Sequence, residues 1–139
     1  MRKAVVVSIL ILVGVAAGAM YHFTLKGNVE VNETELAVSP QSFSVEVRKG
    51  ATYVKSVTIK NYGEAREIYF EYVVEGPDPE SVEVFVNDVY GNRVSSSNKL
   101  SVPAGSQNSP SEVEVNVHVE VDEDAQSGEY VIYIMAKET

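Results

Sequence analysis

Apolar and polar residues alternate with a period of two along most of this chain. The cleanest example covers residues 112–121, where five valines take the odd positions and polar residues take the even ones. Successive side chains of an extended strand point to opposite faces, so such a run predicts a β-strand with one buried face. The pattern predicts strands over residues 41–48, 52–60, 66–75, 81–87, 100–102, 112–121 and 129–137.

Turn-forming residues separate these runs. Gly76-Pro77-Asp78-Pro79 ends one strand abruptly, and Asn61-Tyr62-Gly63 and Pro103-Ala104-Gly105 follow two others. No amphipathic helix pattern occurs after residue 20. The chain is therefore predicted to be all-β, as a single antiparallel sandwich of immunoglobulin-like or jelly-roll type. It would have about seven to eight strands, plus an extra N-terminal strand.

The last predicted strand, residues 129–137, is apolar on both faces. One face carries Tyr130, Ile132 and Ile134, and the other carries Val131, Tyr133 and Met135. A strand exposed to water on one face is normally polar there, so the second face needs a cover. A packed loop, such as residues 88–98, and a neighbouring subunit are the two alternatives.

Residues 21–31 form an alternating segment that precedes the sandwich. The apolar face of this N-terminal extension consists of Tyr21, Phe23, Leu25, Gly27, Val29 and Val31. At about 3.4 Å per residue it would reach about 37 Å, which is long for one strand. Three placements are open: a strand donated to a neighbouring copy, a first strand of the same domain, or a stalk from an anchor or pilin helix.

A hydrophobic leader comes before the extension. Residues 4–19 carry no charge, follow Arg2 and Lys3, and close on the small residues Ala17-Gly18-Ala19. This arrangement is typical of a secretory signal peptide cleaved after residue 19. The predicted organisation is a signal peptide at residues 1–19, the extension at residues 20–35 and the sandwich at residues 36–139.

Two other interpretations of the leader stay open. It could be kept as an uncleaved membrane anchor. Lys3-Ala4-Val5-Val6 also resembles the processing site of archaeal type IV pilin precursors, in which the hydrophobic run becomes a packed filament helix.

Net charge and cysteine content limit the partners that the chain can bind and the interactions that can stabilise it. The net charge is −9, and loss of the leader with its two positive residues would make it −11. A chain this acidic repels nucleic-acid phosphates and anionic membrane surfaces, so neither is an expected partner. Because cysteine is absent, stability must come from the core and from subunit contacts rather than from disulfides.

Candidate chemistry is sparse. His118 and Glu120 could share a metal, but two ligands are too few, and a solvated strand face is the favoured interpretation. Asp122-Glu123-Asp124 with Glu129 lacks the spaced oxygen ligands of a specific calcium site. No phosphate-binding loop or nucleophile elbow occurs. We expect no enzymatic activity, no cofactor, no metal site and no small-molecule substrate.

One modification signal is present. Asn32-Glu33-Thr34 is an N-glycosylation sequon. The even number of Asn32 places it on the polar face of the extension, so it is a candidate glycosylation site.

Residues 36–139 resemble small immunoglobulin-like modules of prokaryotic cell-surface proteins. The matching features are the strand that follows Gly50 and ends at Asn61-Tyr62-Gly63, and Asp124-Ala125 shortly before Gly128-Glu129-Tyr130. These features are turn chemistry and strand pattern, so the resemblance implies a fold rather than an activity.

The leader, extension and sandwich together resemble donor-strand fibre subunits, in particular TasA-like biofilm fibres and the bundling pili of archaea. Donor strands of chaperone–usher pilins likewise carry a small residue among alternating apolar ones, as Gly27 does here. The resemblance implies that the N-terminal strand of each subunit completes the sheet of the next.

We therefore expect an extracellular or cell-surface structural subunit that forms a head-to-tail homopolymer, in a biofilm or in surface adhesion. Neighbouring filaments are a further candidate partner. The alternatives are a monomeric or membrane-tethered immunoglobulin-like binding module and a type IV pilin-like subunit.

Overall fold

The computed structural model describes residues 7–15, 23–28, 35–40, 43–45 and 47–138. Within these residues the chain forms strands, one short 3-10 turn at Pro79–Ser81 and no α-helix. The strands are β1 (Val7–Val15), β2 (Phe23–Asn28), β3 (Leu36–Ser39), β4 (Phe43–Val45), β5 (Thr52–Asn61), β6 (Arg66–Glu75), β7 (Val82–Asp88), β8 (Leu100–Val102), β9 (Ser111–Val121) and β10 (Gly128–Lys137).

The strands form two sheets in which every pairing is antiparallel. The larger sheet has the order β4-β2-β1-β10-β6-β8, and the smaller has the order β3-β5-β9-β7. The long strands β5 and β9 pair along ten residues each, from Thr52 opposite Glu120 to Asn61 opposite Ser111. The prediction of an all-β antiparallel sandwich is confirmed.

Most predicted strands agree with the observed ones to within a residue or so at each end. The clearest difference lies near residues 41–48, where one strand was predicted. The described strand there, β4, spans only Phe43–Val45, and Val47 and Arg48 lie outside it. The short strand β3 pairs with β5 in the smaller sheet and was not predicted.

The core lies between the two sheets and follows the predicted faces. From the smaller sheet, Val115, Val117, Val119 and Val121 are all at most 3% exposed. Tyr130, Ile132 and Ile134 face them from the larger sheet and are fully buried. Each such side chain contributes about 1.5–3 kcal/mol by leaving water, so the alternation in β9 and β10 supplies part of the stabilising core.

Tyr130 has the largest side chain among the fully buried residues. It lies opposite Gly76 at the end of β6, and a Cβ atom at Gly76 would overlap its ring. The Tyr130 hydroxyl donates a hydrogen bond to the Gln126 carbonyl. The ring therefore occupies space that a glycine on the neighbouring strand leaves open.

Residues 88–98 pack along β7 in the smaller sheet. The Val94 N–H donates to the Val86 carbonyl at 2.9 Å, and the Val94 side chain is buried in the core. The Arg93 guanidinium lies 3.8 Å from the centre of the Phe85 ring. These contacts place Arg93 and Val94 beside β7, at the edge of the smaller sheet.

A buried polar cluster closes one end of the sandwich. Arg66 is 7% exposed and forms ion pairs with Glu35, which precedes β3, and with Glu138, which follows β10. Nearby Asn61 is fully buried and donates to the carbonyls of Glu64 and Pro103 at 2.7 and 2.9 Å. The cluster joins the residue before β3 and the residue after β10 to β6.

Tyr72 links β6 to β7, because its hydroxyl accepts a hydrogen bond of 2.9 Å from the Val86 N–H. Burial raises the pKa of Tyr72 to about 12, against the smaller opposing effects of this hydrogen bond and of Arg93. In the unfolded chain the hydroxyl ionises near pH 10. The stability that Tyr72 supplies is therefore complete below pH 10 and is lost as the pH rises through 12.

We expect Tyr72→Phe to lose less stability than the wild type between pH 9 and pH 11.5. The difference should be at most about 2 kcal/mol, because solvent reaches part of the side chain. The free energy of unfolding in urea, measured for both proteins at both pH values, gives this difference. Subtracting one protein from the other at each pH removes the effect of all other groups that ionise in both. An identical pH dependence in both would contradict the assignment to Tyr72.

Candidate assembly site

β10 lies in the interior of the larger sheet, with a different partner on each edge. On one edge it pairs with β6, from Val131 opposite Glu75 to Lys137 opposite Tyr69. On the other edge it pairs along nine residues with β1, Val7–Val15. β1 belongs to the leader that the sequence predicts to be a cleaved signal peptide. Removal of the leader would leave this edge of β10 without its partner.

The register of β1 sets its odd positions opposite the core residues of β10. Ile9 lies opposite Ile134, Ile11 opposite Ile132 and Val13 opposite Tyr130. Directly opposed residues of an antiparallel pair lie on the same face of the sheet. Positions 9, 11 and 13 of β1 are therefore the ones paired with the fully buried residues of β10.

The second face of β10 is apolar and half-buried. Val131, Tyr133 and Met135 alternate with the core residues, and Val73 beside them on β6 is 44% exposed. A hydrogen bond with the Glu75 carboxylate raises the pKa of the Tyr133 hydroxyl. This face is an apolar surface bordered by acidic side chains.

The N-terminal extension appears as β2, Phe23–Asn28, which lies between β1 and β4. Phe23, Leu25 and Gly27 lie opposite Val13, Ile11 and Ile9 of β1. Phe23 and Leu25 also lie opposite Val45 and Phe43 of β4. The other residues predicted for this site fall outside the described residues: Tyr21, Val29, Val31 and the glycosylation candidate Asn32.

Within a single chain, the extension thus pairs with the leader and with a three-residue strand. This is the intramolecular placement that the sequence left open. The pairing with β4 covers only three residues, so the longer contact of β2 is the one with β1.

His118 has a packing environment on the outer face of the smaller sheet. Its ring stacks on Phe85, with the ring centres 4.8 Å apart and the planes inclined by 7°. The His118 Nε2 atom lies 3.4 Å from Asn87 Nδ2, and Glu120 is exposed. No group of three or more metal-ligating side chains is found in the part of the chain that the structure describes.

The acidic run after β9 forms a turn. The Glu123 N–H donates to the Asp122 carboxylate, and the Ala125 N–H donates to the Asp122 carbonyl, both at 3.1 Å. Ala125 is buried beneath this turn, while Asp122, Glu123 and Asp124 are exposed. These hydrogen bonds shape the turn that connects β9 to β10.

Two features of the described structure were not anticipated from the sequence. Arg66 lies at an inward position of β6. Its even number, shared with Ile68 and Phe70, was the sequence feature that could have predicted its burial. The stack of Arg93, Phe85 and His118 joins residues from a loop and two strands. No sequence pattern connects those three positions.

No helix among the described residues is long and apolar enough to cross a membrane.

The two sheets define an antiparallel β-sandwich protein. The chain is 50% identical, over 136 residues, to an uncharacterized protein from Archaeoglobus fulgidus, and the match covers 98% of this chain and 96% of that protein. It belongs to the same family as this archaeal protein. No family model and no solved structure matches the chain.

Proposed function

We propose that this chain is the structural subunit of an extracellular filament or pilus. After loss of the leader, the extension of one copy completes the sheet of the next copy, in a head-to-tail homopolymer that serves a biofilm or surface adhesion. The observation that carries the proposal is the pairing of β10 with leader residues Val7–Val15. Cleavage of the leader would free one long strand edge in the middle of a sheet.

A free edge of this kind is a template for strand addition. Its unpaired N–H and C=O groups favour pairing with another extended segment, and an added strand supplies main-chain hydrogen bonds and side chains for alternate pockets. The extension offers five large apolar residues, Tyr21, Phe23, Leu25, Val29 and Val31. Each contributes about 1.5–3 kcal/mol on burial before ordering costs are subtracted.

The geometry of such a contact favours filaments. The donor segment and the acceptor edge are different surfaces of the same subunit, so each copy can donate to one neighbour and accept from another. Head-to-tail contacts of this type continue indefinitely unless the rotation between subunits closes a ring.

The proposal includes export and the surface chemistry of the filament. An acidic surface keeps exported subunits soluble before assembly. A glycan at Asn32 would stand on the polar face of the donated strand. Lateral contacts with neighbouring filaments would then involve surfaces other than the donor segment.

Electron microscopy of two purified proteins tests the proposal. We expect residues 20–139 to form filaments in negative stain and residues 33–139 to remain dispersed, because only the first retains the extension. Circular dichroism and size-exclusion chromatography of the shorter protein check that it is folded. Dispersed particles from both folded proteins would contradict polymerisation.

A second candidate function is supported by the pairing of β2 within its own chain, with β1 and β4. If the pairing of β2 with β4 persists after loss of the leader, or if the leader is kept, the chain is a monomeric or membrane-tethered immunoglobulin-like binding module. Dispersed particles from both proteins in the microscopy experiment would favour this function.

A further inference from the structure

We infer that the edge of β10 covered by β1 is the acceptor for the donated strand, and that residues 21–31 of a second copy pair antiparallel with β10 so that Gly27 lies opposite Tyr130. This inference rests on the proposed polymerisation and specifies the surface and the register that it uses.

The other strand edges are poorer acceptors. Among the described strands, the outer strands of the larger sheet are β4 and β8, with three residues each, and one outer strand of the smaller sheet is β3, with four. The remaining outer strand, β7, is bridged by residues 88–98 through Val94 and Arg93. Only the β10 edge offers a nine-residue ladder, and the eleven residues of the extension are long enough to pair along it.

The core face of β10 also suits a strand added at this edge. Its core face presents Tyr130, Ile132, Ile134 and Ala136, each at most 3% exposed with β1 in place. Loss of β1 would uncover the flank of these side chains. The odd positions of the extension are apolar, as are those of β1, so the extension offers this edge the same alternation as the strand that it would replace.

Side-chain size selects the register. With Gly27 opposite Tyr130, the smallest donor residue meets the largest fully buried side chain. Leu25 then meets Ile132, Phe23 meets Ile134 and Tyr21 meets Ala136, so a large ring falls beside a small residue at the far end. Tyr130 already lies across a glycine, Gly76, on its β6 side. A shift of two residues would put Leu25 or Val29 beside Tyr130 instead.

The same register places Thr24 opposite Tyr133 on the outer face of the sheet. Directly opposed residues in antiparallel strands have Cα atoms about 4.5–5.5 Å apart, which suits a disulfide. The chain contains no cysteine, so introduced cysteines have no native competitor. Neither position lies on the core face.

The test uses the full chain with its leader, expressed in an exporting host and oxidised after assembly. We expect Thr24→Cys combined with Tyr133→Cys to give a ladder of covalent multimers on a non-reducing gel. A mixture of the two single variants should give covalent dimers and nothing larger. The matched control combines Lys26→Cys with Tyr133→Cys. In the inferred register these two positions are displaced by two residues along the strands, so this pair should give no ladder.

The outcomes separate the inference from the proposed function. Filaments that cross-link only through the control pair would overturn the register. Filaments that cross-link through neither pair would overturn the β10 acceptor and leave polymerisation standing. A disulfide within single chains, with no filaments, would show that each copy completes its own sheet, and would overturn both.

Discussion

Phe23→Asp is expected to abolish filament formation while the sandwich stays folded. In the proposed fibre Phe23 packs opposite Ile134, so the substitution places a carboxylate without a partner in an apolar site, at a cost of several kcal/mol. A loss of about 4 kcal/mol raises the concentration needed for assembly about a thousandfold. Sedimentation of filaments at graded protein concentration, with negative-stain microscopy of the pellet, measures the change.

The matched control is Thr24→Asp, which adds the same charge at the adjacent residue. Thr24 lies on the polar face of the extension, so this variant should assemble at a concentration close to that of the wild type. Urea unfolding of both variants checks that neither loses its fold. Equal assembly by the two variants would mean that the extension does not bury its odd positions, and the donor-strand proposal would fail.

The strand faces could be predicted from the sequence because alternation reports which side chains share a face. Four of the five valines of β9 and the core residues of β10 are buried as expected, Val113 is partly buried, and β8 has the predicted bounds, Leu100–Val102. Turn residues set the C-terminal end of β6, since Pro77 has no N–H to donate to its ladder and Gly76 weakens a strand. The two-residue alternation and the turn-forming residues are local properties, so a single sequence is enough to predict strand faces and strand ends from them.

Strand partners could not be predicted in this way. Alternation says nothing about which strand lies beside which, so the place of β10 between β1 and β6 appears only in the structure. The strand β3 is too short to give a clear alternating signal. The two explanations for the apolar second face of β10, a packed loop and a neighbouring subunit, also differ only in tertiary contacts, so the alternation cannot choose between them.

Only one half of the candidate assembly site could be predicted, because alternation reports strand faces and not strand partners. The sequence identifies an apolar face on the extension, and the structure describes its residues Phe23, Leu25 and Gly27 in a strand. The edge that would receive this strand depends on the pairing of β1 with β10, which no local pattern reports. The donor half of the proposal therefore rests on sequence, and the acceptor half rests on the sheet order.

Arg66→Met is expected to destabilise the sandwich by about 3–5 kcal/mol, because it breaks a buried ion pair by removing one partner. The Arg66 guanidinium lies 3.6 Å from a carboxylate oxygen of Glu138, and their side chains are 6% and 7% exposed. Methionine fills similar space but leaves the Glu138 carboxylate buried without a cation. The free energy of unfolding in urea at neutral pH measures the loss.

Two comparisons show whether the cost comes from the orphaned carboxylate. Arg66→Met combined with Glu138→Gln should recover much of the loss, because the buried negative charge is then absent. Glu71→Gln breaks the partly exposed pair with Lys137, at 4.0 Å, and should cost less than about 1 kcal/mol. If Arg66→Met cost no more than Glu71→Gln, the cluster would contribute little to holding the two ends of the sandwich together. A large cost, recovered by Glu138→Gln, would instead show that the buried pair of Arg66 with Glu138 ties the residue after β10 to β6.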